Sequence, residues 1–198
     1  MGDRDGKLIV FSGCAGAGKN TIIGRLVADY AWLNTVPSVT TRNRRVGEID
    51  GVDYHFKSRE EFDELILNGG LFEYEEIHGN LYGTLVEAYE DQLDNGYVLV
   101  NDMGVDGALM MRELFGDDAL TVFIKPSDEC VLIDRMVGRG DSDLDIETRK
   151  RRIAYENSRQ GEFDVVVVND VLEDAIQYCK QLIKEFVGEG EIVVGRRE

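Results

Sequence analysis

Close to its amino terminus the chain reads Ile9-Val10-Phe11-Ser12-Gly13-Cys14-Ala15-Gly16-Ala17-Gly18-Lys19-Asn20-Thr21. The apolar run from Leu8 to Phe11 predicts a buried strand, and a helical spacing of apolar residues begins at Lys19. Strand, Gly-x-x-x-x-Gly-Lys and helix, in that order, are typical of a phosphate-binding P-loop. The glycines let backbone N–H groups converge on phosphate oxygens, and the helix amino terminus adds partial positive charge. The sequence therefore predicts a nucleotide phosphate site here, with Lys19 reaching the β- and γ-phosphates.

One position in this motif departs from the usual pattern. The residue after the lysine is normally Ser or Thr, whose hydroxyl binds Mg²⁺, but here it is Asn20. The side-chain carbonyl oxygen of Asn20 is also a hard ligand, so Asn20 becomes the candidate Mg²⁺ ligand. Cys14 lies inside the loop and is interpreted as a small loop residue, with an oxidation-sensitive thiol as the alternative.

The composition is that of a small enzyme. The chain has 198 residues, 43% of them hydrophobic, which is enough for one well-buried α/β domain. No apolar run approaches the roughly 20 residues that span a bilayer, and the charged start of the chain lacks an apolar signal segment. Three scattered cysteines favour reduced thiols over a disulfide framework. We expect a cytoplasmic protein without a membrane partner, as a monomer or small homo-oligomer.

The distribution of charge indicates small anionic ligands. A net charge of −17 argues against a nucleic-acid partner, which would need a basic surface. Eight arginines nevertheless fall into two clusters, at residues 42–45 and 135–152. Arginine suits phosphate because its planar fork donates several hydrogen bonds and keeps its charge. The two clusters predict two phosphate sites, although Arg151 and Arg152 could instead pair with acidic residues on a solvated helix face.

Strands and helices alternate along the chain in the α/β manner. Near-continuous apolar strands are predicted at 97–100, 120–124 and 165–168, which suits a parallel sheet covered on both faces. Helices are predicted at 19–30, 85–93, 105–115, 127–139, 146–160 and 171–186. A capping box at Ser58 to Glu61 predicts one more helix. The segment 138–145 breaks the pattern, and the tail from Gly188 has no predicted partner.

A second informative stretch runs Ser38-Val39-Thr40-Thr41-Arg42-Asn43-Arg44-Arg45-Val46-Gly47-Glu48-Ile49-Asp50-Gly51-Val52-Asp53-Tyr54-His55-Phe56. Hydroxyls, spaced arginines and a tyrosine beside a P-loop describe a second phosphate site. The stretch resembles the guanylate kinase signature Ser-x-Thr-Thr-Arg-x-Pro-Arg-x-Gly-Glu-x-x-Gly-x-x-Tyr-x-Phe, with Arg44 in place of the proline. The likeness continues through Phe72-Glu73, Gly79-Asn80-Leu81-Tyr82-Gly83-Thr84, the second arginine cluster and Val168-Asn169-Asp170, and so covers nearly the whole chain.

The resemblance implies one guanylate-kinase-like domain over 1–198 that transfers the γ-phosphoryl group of ATP to GMP, and by extension to dGMP, with Mg²⁺. Its parallel P-loop core, flanked by helices, would occupy about 1–33 and 85–198. A GMP-binding insert would occupy about 34–84, and a short lid about 138–148. Two alternatives stay open: an inactive module of this family that binds proteins, and a related P-loop phosphotransferase with another acceptor such as a sugar phosphate.

The family pattern also assigns residues to each substrate. The resemblance implies that ATP is bound by Gly13, Cys14, Ala15, Gly16, Ala17, Gly18, Lys19, Asn20, Thr21 and Asn169. It implies that GMP is bound by Ser38, Arg42, Arg45, Tyr54, Glu73, Tyr82, Thr84 and Asp102. For Glu73 the chemistry gives independent support, because one carboxylate accepts both N1–H and the 2-amino group of guanine. Adenine has an acceptor at N1 and would leave that carboxylate unsatisfied.

The catalytic cations implied by the resemblance are Lys19, Arg42, Arg135, Arg139 and Arg149. The pair Arg135 and Arg139 matches the family's Arg-x-x-x-Arg-Gly of the lid. A third lid arginine is expected about eleven residues later, where Arg149 fits when counted back from Asp164 and Arg152 remains an alternative. Asp102 matches the first acidic position of the family's Asp-x-Asp, whereas Gly104 stands at the second.

Overall fold

The structure is a computed structural model that describes residues 6–77, 79–133 and 143–188, leaving the side chains of 143–149 outside the description. Its strands are β1 (Lys7–Ser12), β2 (Leu33–Asn34), β3 (Val39–Thr40), β4 (His55–Phe56), β5 (Leu71–Ile77), β6 (Asn80–Leu85), β7 (Val98–Asp102), β8 (Ala119–Lys125) and β9 (Val165–Val168). Its longer helices are α1 (Lys19–Asp29), α2 (Arg59–Leu67), α3 (Val86–Asp94), α4 (Val105–Phe115), α5 (Asp143–Ser158) and α6 (Leu172–Val187).

The main sheet is parallel and has the strand order β2-β7-β1-β8-β9. Strand β1 lies at its centre, and its residues Leu8 to Phe11 are fully buried. This burial explains the continuous apolar run, because helices cover both faces of a parallel sheet. The P-loop therefore leaves the carboxyl edge of the sheet from its most buried strand, which is a rigid support for a phosphate site.

Two glycines of the P-loop are required by the backbone. Gly13 has φ of 129°, and a Cβ added there would lie 2.0 Å from the carbonyl oxygen of Ile124. Gly18 has φ of 96° and caps the amino terminus of α1. A side chain at either position would be strained or would clash, so the glycine spacing of the motif follows from the close packing of the loop on the sheet.

A second sheet, ordered β4-β3-β6-β5, contains the predicted insert. The predicted capping box is present on α2: the Ser58 hydroxyl accepts from the Glu61 amide at 3.2 Å, and the Ser58 amide donates to the Glu61 carboxylate at 2.7 Å. Phe62 of α2 is fully buried with Val39 and Leu81 in a small separate core. Helix α4 contacts both β5 and the main sheet, so it joins the two halves of the molecule.

Two predicted helix boundaries are wrong. The helix expected from Ser127 begins at Cys130, because the Asp128 carboxylate caps it by accepting from the Cys130 amide at 2.8 Å. Helix α5 begins at Asp143, within the segment expected to break the pattern. The acidic residues Asp143 and Asp145 fall in its first turn, where a helix favours negative charge. The first part of the expected lid, residues 138–142, and the tail from 189 lie outside the described residues.

Candidate functional site

The ammonium group of Lys19 lies at the centre of the candidate site. It donates to the carbonyl oxygens of Gly13 at 2.6 Å and Cys14 at 3.3 Å, so the loop holds the side chain along its own backbone. The Asp102 carboxylate, at the carboxyl end of β7, lies 3.7 Å away. In the parallel register of β1 and β7, Asp102 pairs with Phe11, so Asp102 lies at the edge of the sheet from which the P-loop departs.

Two cavities meet at Lys19 and Asp102, which line both. The first has a volume of about 250 Å³ and lies between the two sheets. Its lining includes Ser38, Tyr54, Glu73 and Tyr82, all predicted GMP-binding residues. The second is an open groove of about 830 Å³ along the P-loop, lined by Gly16, Gly18, Asn20, Thr21 and Asn169 among others. The two predicted substrate sites are therefore adjacent compartments that share one lysine.

Glu73 is a buried acidic group of the first cavity, with 8% of its surface exposed. It lies on β5 directly opposite Thr84 of β6, and the Thr84 hydroxyl donates to Glu73 Oε1 at 2.6 Å. Burial raises the pKa of Glu73 to about 7, although the Thr84 hydrogen bond acts in the opposite direction. The sheet register thus fixes the orientation of a carboxylate that lies in a water-poor site.

Two aromatic rings form the wall of the first cavity on the insert side, and an arginine lies beside them. The rings of Tyr54 and Tyr82 are in edge contact, with centroids 6.1 Å apart. The guanidinium of Arg42 lies over the Tyr54 ring at 5.3 Å and forms a two-pronged ion pair with Glu48 at 2.7 and 3.1 Å. Arg42 is therefore held beside the cavity by a carboxylate partner and does not itself line the cavity.

Arg45 is separated from Arg42 by the fold. Its backbone amide donates to Glu48 at 2.8 Å, while its side chain lines the P-loop groove. Sequence spacing grouped the two arginines as one phosphate site; the turn closed by Glu48 holds Arg42 beside the first cavity, while Arg45 lines the P-loop groove.

Polar side chains near the two cavities also hold the surrounding backbone in place. The Asn169 amide donates to the carbonyl of Ala17 at 2.7 Å and so braces the P-loop. The hydroxyls of Thr40 and Thr41 bond to the backbone of Leu81 at 2.9 Å, which joins β3 to β6. Ser38 is the hydroxyl of this stretch that lines the first cavity.

The thiol in the P-loop is buried. Cys14 is fully buried, and burial raises its pKa to about 12. A thiolate would be scarce at neutral pH, so its interpretation as a small loop residue is favoured over a redox-sensitive thiol. None of Cys14, Cys130 and Cys179 forms a disulfide.

The structure describes only some of the predicted lid arginines. Arg135 and Arg139 lie outside the described residues, and Arg149 lies on α5 with its side chain outside the description. Arg152, the alternative third arginine, lines the first cavity. It pairs with Glu75 of β5 and with Glu156 of its own helix, the latter at 2.9 Å.

Sequence reasoning missed Glu75 and Glu156 as lining residues of the first cavity. A signal for Glu75 was present, because alternate residues of a strand face the same side and Glu73 had already been selected. A signal for Glu156 was its spacing of four residues from Arg152 on a helix. Neither signal identified the cavity, since the contact between β5 and α5 joins residues far apart in the sequence.

A P-loop on the central strand of a parallel sheet, facing a second sheet across a cavity, defines a P-loop nucleotide-binding α/β protein. The chain matches the family model described as Guanylate kinase over residues 5–186. It therefore belongs to the guanylate kinase family, and the predictions of the family, the fold class and a kinase are confirmed.

Individual relatives agree with this assignment. The chain is 42% identical over 187 residues to the guanylate kinase of Chlorobium chlorochromatii (strain CaD3), covering 94% of this chain and 98% of that protein. It is 41% identical over 199 residues to the guanylate kinase of Streptococcus mutans serotype c, covering 99% and 93%. The crystal structure of guanylate kinase from Anaplasma phagocytophilum is similar with a TM-score of 0.75 and 26% identity, covering 96% of this chain and 90% of that one.

No helix in residues 6–77, 79–133 and 143–188 combines the length and the apolar character that crossing a bilayer requires.

Proposed function

We propose that this protein transfers the γ-phosphoryl group of ATP to GMP, and also to dGMP, giving the nucleoside diphosphate and ADP. The observation that carries the proposal is the buried Glu73 carboxylate, oriented by Thr84 in a cavity that meets the P-loop groove at Lys19. An ionised carboxylate in that position accepts from two adjacent donors, which guanine presents at N1 and the 2-amino group. ATP in the P-loop groove and GMP in the cavity would then meet at the lysine.

The residues of the site supply positioning and positive charge. Phosphoryl transfer needs the acceptor oxygen in line with the γ-phosphorus and cations near the charge on its equatorial oxygens. Lys19 is suited to the transferring group, and Arg42 to the acceptor phosphate beside Tyr54 and Tyr82. No general base is needed, because the attacking GMP phosphate oxygen is already ionised. Closure of the insert over the cavity would exclude water and suppress ATP hydrolysis.

The groove also fits a magnesium ion that arrives with ATP. Within the described part of the chain no three His, Cys, Asp or Glu side chains are grouped to hold a metal. Mg²⁺ usually keeps several waters and uses one or two protein oxygens together with the phosphates, so a sparse oxygen set is sufficient. Asn20 and Asp102, both in the P-loop groove, offer such oxygens. When bound there, Mg²⁺ would neutralise part of the phosphate charge.

Restoring the usual hydroxyl tests Asn20 as a metal ligand. Asn20→Ser should lower the Mg²⁺ concentration for half-maximal rate by about 3- to 10-fold, because one ligand among about six regains its usual geometry. Asn20→Ala, which has no ligand oxygen, should raise that concentration. The measurement is a Mg²⁺ titration of GDP formation at fixed free ATP. If both variants titrate like the wild type, Asn20 does not contact the metal.

Arg42→Ala tests the acceptor phosphate site. Loss of a charge-assisted hydrogen bond of about 1.5–3 kcal/mol should raise the KM for GMP by about 10- to 100-fold, with the KM for ATP unchanged. The matched control is Arg59→Ala, which removes an exposed insert arginine that pairs with Asp63 at 3.2 Å on α2. Steady-state kinetics with each substrate varied in turn will distinguish them. An effect of Arg42→Ala on ATP alone would contradict the assignment.

The direct test of the proposal is a coupled assay of ADP formation with ATP, Mg²⁺ and each nucleoside monophosphate. GMP and dGMP should support turnover, and AMP, CMP and UMP should not. Binding of GMP without formation of GDP at saturating ATP and Mg²⁺ would favour the protein-binding module instead. Turnover with a sugar phosphate and not with GMP would favour the third hypothesis.

A further inference from the structure

A second carboxylate follows Glu73 on the same face of β5. Alternate residues of a strand face the same side, so Glu75 and Glu73 both face α4, about 6.6 Å apart along the strand. Glu76, between Glu75 and Ile77, faces away and is exposed. Glu75 therefore enters the same cavity as the carboxylate proposed to read the base.

The two carboxylates pack against two glycines of α4. A Cβ added at Gly107 would lie 2.4 Å from Glu73 Oε2, and a Cβ added at Gly104 would lie 1.8 Å from Glu75 Oε2. Both distances are too short for a real side chain, so Glu75 occupies the volume that a side chain at 104 would need. Gly104 is the position at which the guanylate kinase pattern has its second Asp. Here a carboxylate fills nearly the same space from the neighbouring strand.

The two oxygens of Glu75 are used differently. Glu75 Oε1 pairs with Arg152, which Glu156 holds from its other side at 2.9 Å. Glu75 Oε2 is buried and has no hydrogen-bond partner among the residues that the structure describes. A buried carboxylate oxygen without a donor is unfavourable, so a ligand that supplied one would gain affinity there. Arg152 fixes the side chain with Oε2 directed toward Gly104 and without a donor.

Guanine has a donor left over after Glu73 is satisfied. Its 2-amino group carries two hydrogens, and a two-pronged contact with Glu73 uses N1–H and one of them. The second hydrogen needs another acceptor. Residues three apart on a helix are about 5–6 Å apart, and an amino nitrogen bridging two oxygens spans about twice a 2.9 Å hydrogen bond. The distance between the positions where the two carboxylates contact Gly107 and Gly104 therefore matches the distance between two oxygens that share one amino group.

We propose that Glu75 is a second specificity-determining residue, whose Oε2 accepts the remaining hydrogen of the guanine 2-amino group and replaces the acidic side chain that Gly104 lacks. This inference rests on the proposed function of the site. It assigns Arg152 as the positioning residue of Glu75, and it makes Gly104 and Glu75 a matched pair: the glycine is needed because the glutamate is present.

The test compares GMP with IMP, whose base is guanine without the 2-amino group. Glu75→Gln keeps the size of the side chain and removes its charge. It should lower kcat/KM for GMP by about tenfold or more and leave kcat/KM for IMP nearly unchanged, so that the preference for GMP over IMP falls by the same factor. Glu76→Gln is the matched control on the same strand and should leave both values unchanged.

A relocated carboxylate provides the second arm of the test. Gly104→Asp alone should impair GMP use, because its Cβ clashes with Glu75. In the double variant Glu75→Ala/Gly104→Asp the space is free and a carboxylate is again present, so the preference for GMP over IMP should return toward the wild-type value. Thermal melting of each variant, together with IMP turnover, will identify any variant that fails to fold.

Each outcome has one interpretation. If the wild type forms no GDP, the proposed function fails before Glu75 is tested. If the wild type forms GDP and Glu75→Gln lowers GMP and IMP turnover equally, Glu75 serves only to hold Arg152 and the inference is overturned. A selective loss for GMP that the double variant restores establishes the second carboxylate.

Discussion

Lys19→Met is expected to lower kcat for GDP formation by about 10²- to 10³-fold or more, the cost of removing one preorganised donor from a developing charge. Methionine preserves the length and the apolar stem of the side chain but removes the ammonium group. That group lies 2.6 Å from the Gly13 carbonyl oxygen, and Lys19 lines both compartments. Among the described residues no other lysine or arginine lines both. Single-turnover measurement of GDP formation at saturating ATP and GMP gives the effect on the chemical step.

Lys57→Met is the matched control, because Lys57 is an exposed insert lysine that pairs with Glu61 at 3.4 Å. It should retain wild-type turnover. GMP binding to the Lys19 variant, measured by calorimetry, should be retained within a few-fold, since the base contacts are untouched. A Lys19→Met enzyme with more than a tenth of the wild-type kcat would show that the P-loop lysine does not act on the transferring phosphoryl group.

Glu73→Gln is expected to remove most of the base selectivity. For the wild type we expect kcat/KM for GMP to exceed that for AMP, CMP and UMP by at least about 100-fold, because a mismatched base leaves buried groups unpaired. An amide presents one acceptor and one donor, so it mismatches one of the two guanine donors. The variant should lose about 100-fold in kcat/KM for GMP while its KM for ATP is unchanged. Equal use of GMP and AMP by the wild type would overturn the assignment of Glu73.

The raised pKa of Glu73 gives this prediction a pH signature. Only the ionised carboxylate accepts both guanine donors, and burial raises its pKa in the free enzyme to about 7. As the pH falls below 7 the carboxyl becomes protonated, so kcat/KM for GMP should decline by about tenfold per pH unit. The decline of kcat should begin at a lower pH than the decline of kcat/KM, because the donors of bound guanine favour the ionised carboxylate and lower its pKa in the complex. The phosphate of GMP titrates with a pKa near 6, so its contribution must be separated.

The Glu73→Gln enzyme provides that separation. It should lose the decline that belongs to the carboxyl and keep the one that belongs to the GMP phosphate. A variant whose profile for kcat/KM superimposes on that of the wild type would mean that another group titrates near pH 7.

Local patterns predicted the parts of the fold that depend on nearby residues. The strand before the P-loop, helix α1 and the capping box of α2 follow from apolar spacing and glycine or Ser–Glu placement, which act within a few residues. The two boundary errors, at Cys130 and Asp143, also have local causes in capping and first-turn charge. Predicted roles for the site residues remain predictions, although the fold brings Ser38, Tyr54, Glu73 and Tyr82 into one cavity.

The sequence by itself determined the P-loop core and the family, and it predicted Glu73 as the carboxylate suited to guanine. These rest on short motifs whose physical requirements, such as positive φ at a glycine or a helix amino terminus, are met within the motif. Tertiary structure alone decided which groups face each other. The Glu73–Thr84 hydrogen bond depends on the register of β5 and β6. The separation of Arg42 from Arg45 depends on the turn closed by Glu48, and the position of Glu75 depends on the packing of β5 against α4. Such contacts join residues that are distant in the chain, so their geometry is fixed only when the two sheets pack around α4.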